Sequence, residues 1–91
     1  MLVVVAYDVP EDRRRTKLAE ALEAYGRRVQ YSVFEALLEP PQIEELLERL
    51  ASLIDPEEDK VRLYRLCAAC ERRIEVLGLG ERTVQKEVYI V

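Results

Sequence analysis

Asp8 places a carboxylate at the end of an apolar stretch of the sequence, where carboxylates are rare. Asp8 directly follows residues 2–7, an apolar run rich in valine. A carboxylate at the end of a buried strand usually caps a turn, forms an ion pair or binds a metal. Asp8 is therefore either a turn residue beside Pro10 or a ligand for a hard cation, because carboxylate oxygen suits magnesium or manganese. One carboxylate is too few for tight binding, but a symmetric dimer would supply a second.

A cluster of cations follows in the sequence. Residues 13–17 read RRRTK and fall in the first turns of a predicted helix. Consecutive residues wrap around a helix, so some of these cations must point to solvent or to a ligand. They either pair with acidic neighbours on the helix surface or form a phosphate-binding edge close to Asp8. Arg27 and Arg28 add two more cations at the far end of this helix.

Other kinds of chemistry are excluded or weakly supported. The chain has no histidine, which excludes Ser-His triads, histidine zinc sites and imidazole acid–base catalysis. Its three glycines form no phosphate-binding loop. Cys67 and Cys70 form a lone C-x-x-C motif, which we place between two strands, and zinc would need two further ligands there. We expect structural or incidental cysteines, with a local disulfide as an alternative.

The charge is distributed unevenly along the chain. The 91 residues carry 14 basic and 18 acidic side chains, a net charge of −4. Residues 35–59 hold nine of the acidic side chains and one basic one, so the remainder of the chain is net positive. The acidic total therefore does not exclude nucleic acid as a partner. A chain this short predicts a single domain, residues 1–91. Without a membrane-spanning run we expect a cytoplasmic protein with no membrane partner.

Hydrophobic periodicity predicts the elements that must position these residues. The predicted elements are strands at residues 2–7, 28–38, 60–67, 73–77 and 83–91, a first helix that Asp12 caps and Gly26 ends, and a second helix from Pro40 to Asp55. The second helix should bury Ile43, Leu46, Leu47, Leu50 and Ile54. Two amphipathic helices and several strands predict an α+β fold, a ferredoxin-like sandwich with an antiparallel sheet covered by both helices on one face.

Two points of the topology stay open. Residues 28–38 contain no Gly, Pro, Asn or Asp, so the chain either bends sharply near Tyr31 and Ser32 or forms one long strand. The apolar last strand, residues 83–91, is either a satisfied sheet edge or a template for pairing with another chain. Because the core is small, we expect a homodimer in which this C-terminal strand joins the partner's sheet.

Three stretches together resemble a known family. Residues 4–9, 12–17 and 25–35 read VVAYDV, DRRRTK and YGRRVQYSVFE. In this order and spacing they resemble the CRISPR-associated endoribonuclease family, small ferredoxin-like proteins that accompany the CRISPR integrase during spacer acquisition. The likeness extends over nearly the whole chain, and the R-V-Q-x-S-V-F-E string with an upstream Y-D is its most specific part.

The resemblance implies a homodimer whose sheets face each other and a magnesium ion held by Asp8 of both protomers. It also implies the CRISPR integrase and nucleic acid, RNA or DNA, as partners. Arg15 and Arg28 would hold phosphates, and Ser32 and Phe34 would shape the pocket. The residues expected to bind nucleic acid or shape the site are Tyr7, Arg14, Arg15, Lys17, Arg28, Ser32 and Phe34.

The predicted function is a magnesium-dependent endonuclease that cleaves single-stranded RNA, DNA or both during spacer acquisition. Two carboxylates without a general base provide few groups for catalysis. The alternative is therefore a catalytically silent, dimeric adaptor that binds DNA. A toxin-type messenger-RNA nuclease on the same fold is a third interpretation. A regulatory domain that binds metabolites is disfavoured by the arginine pattern and by the lack of a Gly-rich loop.

Overall fold

The computed structural model describes residues 1–83 of the chain. Its elements are β1 (Leu2–Asp8), α1 (Asp12–Glu23), β2 (Arg27–Gln30), β3 (Val33–Leu37), α2 (Pro40–Leu53), β4 (Lys60–Leu66) and the short helix α3 (Ala68–Glu71). The four strands form one antiparallel sheet in the order β2-β3-β1-β4. This order, with the two long helices on one face, is the ferredoxin-like arrangement and confirms the predicted fold class. No described helix is long and apolar enough to cross a membrane.

Side-chain alternation along β1 separates a helix-covered face of the sheet from an open one. Val3, Val5 and Tyr7 are buried in one cluster. That cluster also contains Leu18, Leu22 and Phe34 together with Ile43, Leu46 and Leu50 of α2. Successive strand residues point to opposite faces, so Asp8 lies on the open face. The site residues predicted along β1 are therefore divided between the two faces.

The chain turns at Tyr31 and Ser32, which connect β2 to β3. The two strands pair antiparallel, with an irregular register between Arg28 and Gln30. No non-glycine residue in the described part has a positive φ, so this turn needs no left-handed residue. Of the two alternatives left open, the structure has the sharp bend and excludes a single long strand over residues 28–38.

Gly26 is required by a close approach of backbone rather than by the end of α1. The helix ends at Glu23 with Ala24 as its C-cap. A Cβ atom on Gly26 would lie 2.1 Å from the carbonyl oxygen of Glu35 and 2.7 Å from the Cβ of Ala36. Only glycine lets the connection from α1 to β2 pack this tightly against β3.

The N-cap of α1 is Glu11, so the prediction of Asp12 as the cap is wrong. Glu11 has an extended backbone (φ −85°, ψ 125°), as a capping residue requires. Its carboxylate accepts hydrogen bonds from the backbone N–H groups of Arg13 at 3.1 Å and Arg14 at 2.9 Å. These donors hold the pKa of Glu11 below its ordinary value. Asp12 is already helical and belongs to the first turn.

Leu47 was expected on the buried face of α2, but its side chain is 37% exposed. It directly follows Leu46, which is fully buried, and neighbouring helix residues point about 100° apart. The buried residues of α2 are Ile43, Leu46 and Leu50. The prediction for Leu47 is therefore wrong.

The strand predicted at residues 73–77 is also wrong, because this segment has no ladder partner among the described residues. After α3 the chain leaves β4 and reaches the opposite edge of the sheet. There the Arg27 guanidinium donates to the carbonyl oxygen of Glu81 at 2.8 Å and to the hydroxyl of Thr83. Alternating apolar residues do not make a strand without backbone partners. The strand predicted at residues 83–91, with its exchange between protomers, extends outside the described residues.

Candidate nucleic-acid and metal site

Asp8 lies exposed at the carboxyl end of β1, on the open face of the sheet. The register of β1 against β4 places Lys60 directly opposite it. Side chains that face each other in this way share a face of the sheet, with Cβ atoms about 5 Å apart. Among residues 1–83 neither Asp8 nor Lys60 forms an ion pair. Carboxylate and ammonium are thus neighbours on one face of the sheet.

Among residues 1–83, Asp8 is the one carboxylate that the strand register places at this position. Glu35 shares the open face, but it lies opposite Val4, four residues before Asp8 and so about 13 Å along the strand. Within the described residues, no three metal-ligating side chains come together. Carboxylate oxygen has the chemistry of a magnesium ligand. The number of ligands fits such an ion when a second copy of the chain contributes its own Asp8.

Several other predicted residues gather on the helix-covered side of β1. The ring of Tyr7 stacks on Phe34 with centroids 6.3 Å apart and planes inclined by 29°. The guanidinium of Arg28 lies 5.2 Å from the ring centre of Phe34 and 5.9 Å from that of Tyr31. Both distances fall within the range of cation–π attraction. Burial raises the pKa of the Tyr7 hydroxyl above its ordinary value.

This group borders a cavity of about 360 Å³. Tyr7, Arg28 and Tyr31 line it together with Arg15, Thr16, Ala19, Glu20 and Glu23 of α1. Two guanidinium groups and two phenols line it beside the carboxylates of Glu20 and Glu23. The lining therefore combines cations that can bind a phosphate, rings that can stack on a base, and two anions that partly offset the positive charge. Tyr31 was missed by sequence reasoning, and its place in the turn beside two predicted site residues is the signal that could have found it.

Arg15 lines the cavity and also holds the loop that follows Asp8. One of its guanidinium nitrogens donates to the carbonyl oxygens of Val9 at 2.8 Å and Pro10 at 3.2 Å. A second nitrogen contacts the carboxylate of Asp12, an ion pair within the first turn of α1. Arg15 therefore fixes the backbone between the strand-end aspartate and the helix.

Arg14 is bound within the chain. Its guanidinium donates to both carboxylate oxygens of Asp59, whose side chain is fully buried. Asp59 was not foreseen, because a contact between residues 45 positions apart leaves no local pattern. This contact links the start of α1 to the segment that precedes β4.

Ser32 and Lys17 are the remaining residues that were predicted to bind nucleic acid or shape the site. The carbonyl oxygen of Ser32 accepts a hydrogen bond from the backbone N–H of Tyr7 at 3.1 Å, which continues the pairing of β1 with the β2–β3 hairpin. Lys17 is exposed on α1 and does not line the cavity. The structure thus joins Tyr7, Arg15 and Arg28 around one cavity and leaves Asp8 on the other face.

Cys67 and Cys70 are free and exposed. Their predicted place between two strands is wrong, because Cys67 is the N-cap of α3 and Cys70 lies within that helix. Donor groups of Cys70 and Ala69 lower the pKa of the Cys67 thiol.

The fold and the carboxylate at the end of β1 together define a class of protein. Its members are small ferredoxin-like proteins with an aspartate and several arginines at one end of the sheet. The family model described as CRISPR associated protein Cas2 matches residues 1–74. The chain therefore belongs to the CRISPR-associated Cas2 family, as the resemblance implied.

Individual relatives agree with this assignment. The CRISPR-associated endoribonuclease Cas2 1 of Chloroflexus aurantiacus is 44% identical over 93 residues, covering 100% of both chains. The crystal structure of Streptococcus pyogenes Cas2 at pH 6.5 is 37% identical with a TM-score of 0.75, covering 86% of this chain and all of that one. A chain of a partial Cas6-RT-Cas1–Cas2 complex is 32% identical with a TM-score of 0.71, covering 84% and 89%.

Proposed function

We propose that this protein is a magnesium-dependent endonuclease of the CRISPR spacer-acquisition system that acts as a homodimer. The observation that carries the proposal is the exposed carboxylate of Asp8, with Lys60 opposite it and the cavity lined by Arg15 and Arg28 on the other side of the strand. Family membership and the endoribonuclease activity named for the Chloroflexus relative support it. A cytoplasmic location and a single domain over residues 1–91 stay predictions.

In the proposed site, Asp8 of both protomers would hold one magnesium ion. Such an ion, when bound, polarises a phosphodiester oxygen and makes a bound water more acidic. The exposure of Asp8 leaves room for a backbone phosphate to reach it. Arg15 keeps this carboxylate in place by fixing the loop that follows it. The protein contributes position and charge, since no group of the site is an evident general base.

The substrate class follows from Arg28 and Tyr31. Tyr31 is 70% exposed beside the Arg28 guanidinium, so a base can stack on its ring while the cation contacts a phosphate. Stacking of this kind requires an unpaired base, which favours single-stranded nucleic acid. We therefore propose single-stranded RNA, DNA or both as the substrate.

A second candidate function is a dimeric DNA-binding adaptor that works without catalysis. The similarity to a chain of a complex that contains Cas1 and Cas2 favours it. Under this function the CRISPR integrase would be a partner of this protein as well. The two functions separate in cells that acquire spacers. If Asp8→Asn leaves acquisition intact while Arg28→Glu abolishes it, the adaptor function is supported and cleavage is dispensable.

The direct test is a cleavage assay on the purified protein. Labelled single-stranded RNA, single-stranded DNA and duplex DNA are incubated with magnesium, manganese or EDTA. The proposal predicts metal-dependent cleavage of at least one single strand by the wild type. Cleavage of duplex DNA alone would contradict the proposed substrate class, and cleavage in EDTA would contradict the metal.

A further inference from the structure

We propose that Cys67 and Cys70 form a redox-active dithiol, in which Cys67 attacks a small-molecule disulfide such as glutathione disulfide and Cys70 then closes an intramolecular disulfide. This chemistry is independent of the proposed nuclease and goes beyond it. Both thiols are free and exposed, so a reagent in solution can reach them. In a reducing compartment such a bond forms transiently and acts as a redox site rather than as a structural link.

The first turn of α3 brings the two cysteines to the spacing that a disulfide requires. The backbone N–H of Glu71 donates to the carbonyl oxygen of Cys67 at 2.9 Å, so Cys67 closes the turn that contains Cys70. The two residues between the cysteines belong to this helix. Helical geometry therefore puts the Cα atoms of the cysteines about 5 Å apart, within the roughly 4.4–6.8 Å that a disulfide spans. Closing the bond would lock the turn through which the chain leaves β4.

The two thiols also influence each other's ionisation. The backbone N–H and the thiol of Cys70 lower the pKa of the Cys67 thiol, whereas the Cys67 thiol raises the pKa of Cys70. Because the thiolate is the nucleophile, Cys67 is the residue that reacts first. Once its sulfur is bonded, it no longer carries a negative charge that opposes ionisation of Cys70.

The reaction consists of two successive thiol–disulfide exchanges. The Cys67 thiolate attacks one sulfur of glutathione disulfide, the S–S bond of the reagent breaks, and the first glutathione leaves as a thiolate that takes up a proton. The Cys70 thiolate then attacks the Cys67 sulfur of this mixed disulfide and releases the second glutathione in the same way. The protein thus loses two protons and two electrons, and the reagent gains both.

The dithiol lies beyond the end of the sheet that is remote from Asp8. β4 begins at Lys60, opposite Asp8, and ends at Leu66, opposite Leu2, so its two ends are about 20 Å apart along the strand. Cys67 directly follows Leu66 and caps α3. A contact between two protomers at Asp8 is therefore remote from this pair.

The test treats the purified wild-type protein, in its own assembly state and in EDTA, with mixtures of glutathione and glutathione disulfide of increasing disulfide content. Free thiols are then blocked with iodoacetamide, and the intact mass is measured under denaturing, non-reducing conditions. We expect a single chain that carries neither a blocking group nor glutathione. Dithiothreitol added before the blocking step should return the form with both thiols blocked.

Cys67→Ser and Cys70→Ser are matched variants, since each keeps one exposed thiol and cannot close the bond. At neutral pH, Cys70→Ser should trap glutathione on Cys67 severalfold faster than Cys67→Ser traps it on Cys70. Equal rates, or the reverse order, would contradict the proposal, because it requires Cys67 to react first.

Three results with the wild type alone would overturn the proposal. The first is a stable glutathione adduct, the second is a disulfide between two chains, and the third is complete blocking of both thiols at every disulfide content. The third result would show that the cysteines are incidental. RNA cleavage plays no part in these measurements, so failure of the proposed function would leave their outcome unchanged.

Discussion

Arg14 binds Asp59 through two parallel hydrogen bonds, 2.8 Å from Nε and 3.1 Å from Nη2. This bidentate contact holds the pKa of the Asp59 carboxyl below its ordinary value. The same contact occupies the Arg14 guanidinium, which was predicted from the sequence to bind nucleic acid or shape the site. Arg14 therefore helps to position β4, whereas Arg15 and Arg28 line the cavity.

Asp59→Asn should lower the melting temperature at neutral pH, because the partly buried Arg14 guanidinium would lose its charged partner. A carboxyl with a lowered folded pKa contributes stability above its unfolded value and loses it as the pH falls through the folded value. The difference in melting temperature between wild type and variant should thus be constant above about pH 5 and shrink below about pH 4. Thermal melts followed by circular dichroism measure it, and a difference that grows in acid would contradict the ion pair.

Arg14→Gln should mainly affect stability, whereas Arg28→Gln should mainly affect RNA binding. The first should lower the melting temperature and leave RNA affinity nearly unchanged, because Arg14 is bound within the chain. The second should weaken RNA binding with little loss of stability, since Arg28 is exposed beside Tyr31. Melting and anisotropy on the same preparations decide between them. Equal losses of RNA affinity in both variants would return Arg14 to the binding surface.

Tyr31→Ala should weaken binding of a single strand by about 1–3 kcal/mol if a base stacks on this ring. Tyr31→Phe should bind like the wild type, because stacking needs the ring and not the hydroxyl. Anisotropy titrations with single-stranded and duplex oligonucleotides measure the effect. A loss that is as large for the duplex would show that the ring does not select unpaired bases.

Gly26→Ala should destabilise the fold by about 1–3 kcal/mol, because its Cβ would overlap the backbone of β3. Urea denaturation followed by circular dichroism gives the free energy of unfolding. An unchanged value would mean that the connection from α1 to β2 can move away from Glu35 and Ala36 at little cost.

Local patterns were enough for the parts of the fold that depend on neighbours in sequence. The valine-rich run of β1 predicts a buried strand, and the spacing of Ile43, Leu46 and Leu50 predicts the buried face of α2. The bend at Tyr31 and Ser32 could only be left open, because residues 28–38 contain no Gly, Pro, Asn or Asp to mark a turn. The segment at residues 73–77 has the alternation of a strand, and alternation does not reveal that no partner strand is available.

The sequence motif of the candidate site could be predicted, but the three-dimensional arrangement of its residues could not. Asp8 and Tyr7 are adjacent in sequence, so strand alternation alone separates them onto two faces. Lys60 and Asp59 carry no motif, because their roles come from the register of β1 against β4 and from a contact across the fold. Such long-range pairings depend on the whole fold rather than on any local window.

The most direct test is the rate at which Asp8→Asn cleaves single-stranded RNA at saturating magnesium, compared with the wild type. Asparagine keeps the shape and removes the charge, so equal melting temperatures and equal sedimentation would show that fold and assembly are intact. The proposed function predicts a loss of at least about 10²-fold in rate, because removing one group that stabilises charge in a transition state costs that much. Cleavage by Asp8→Asn at the wild-type rate would contradict it.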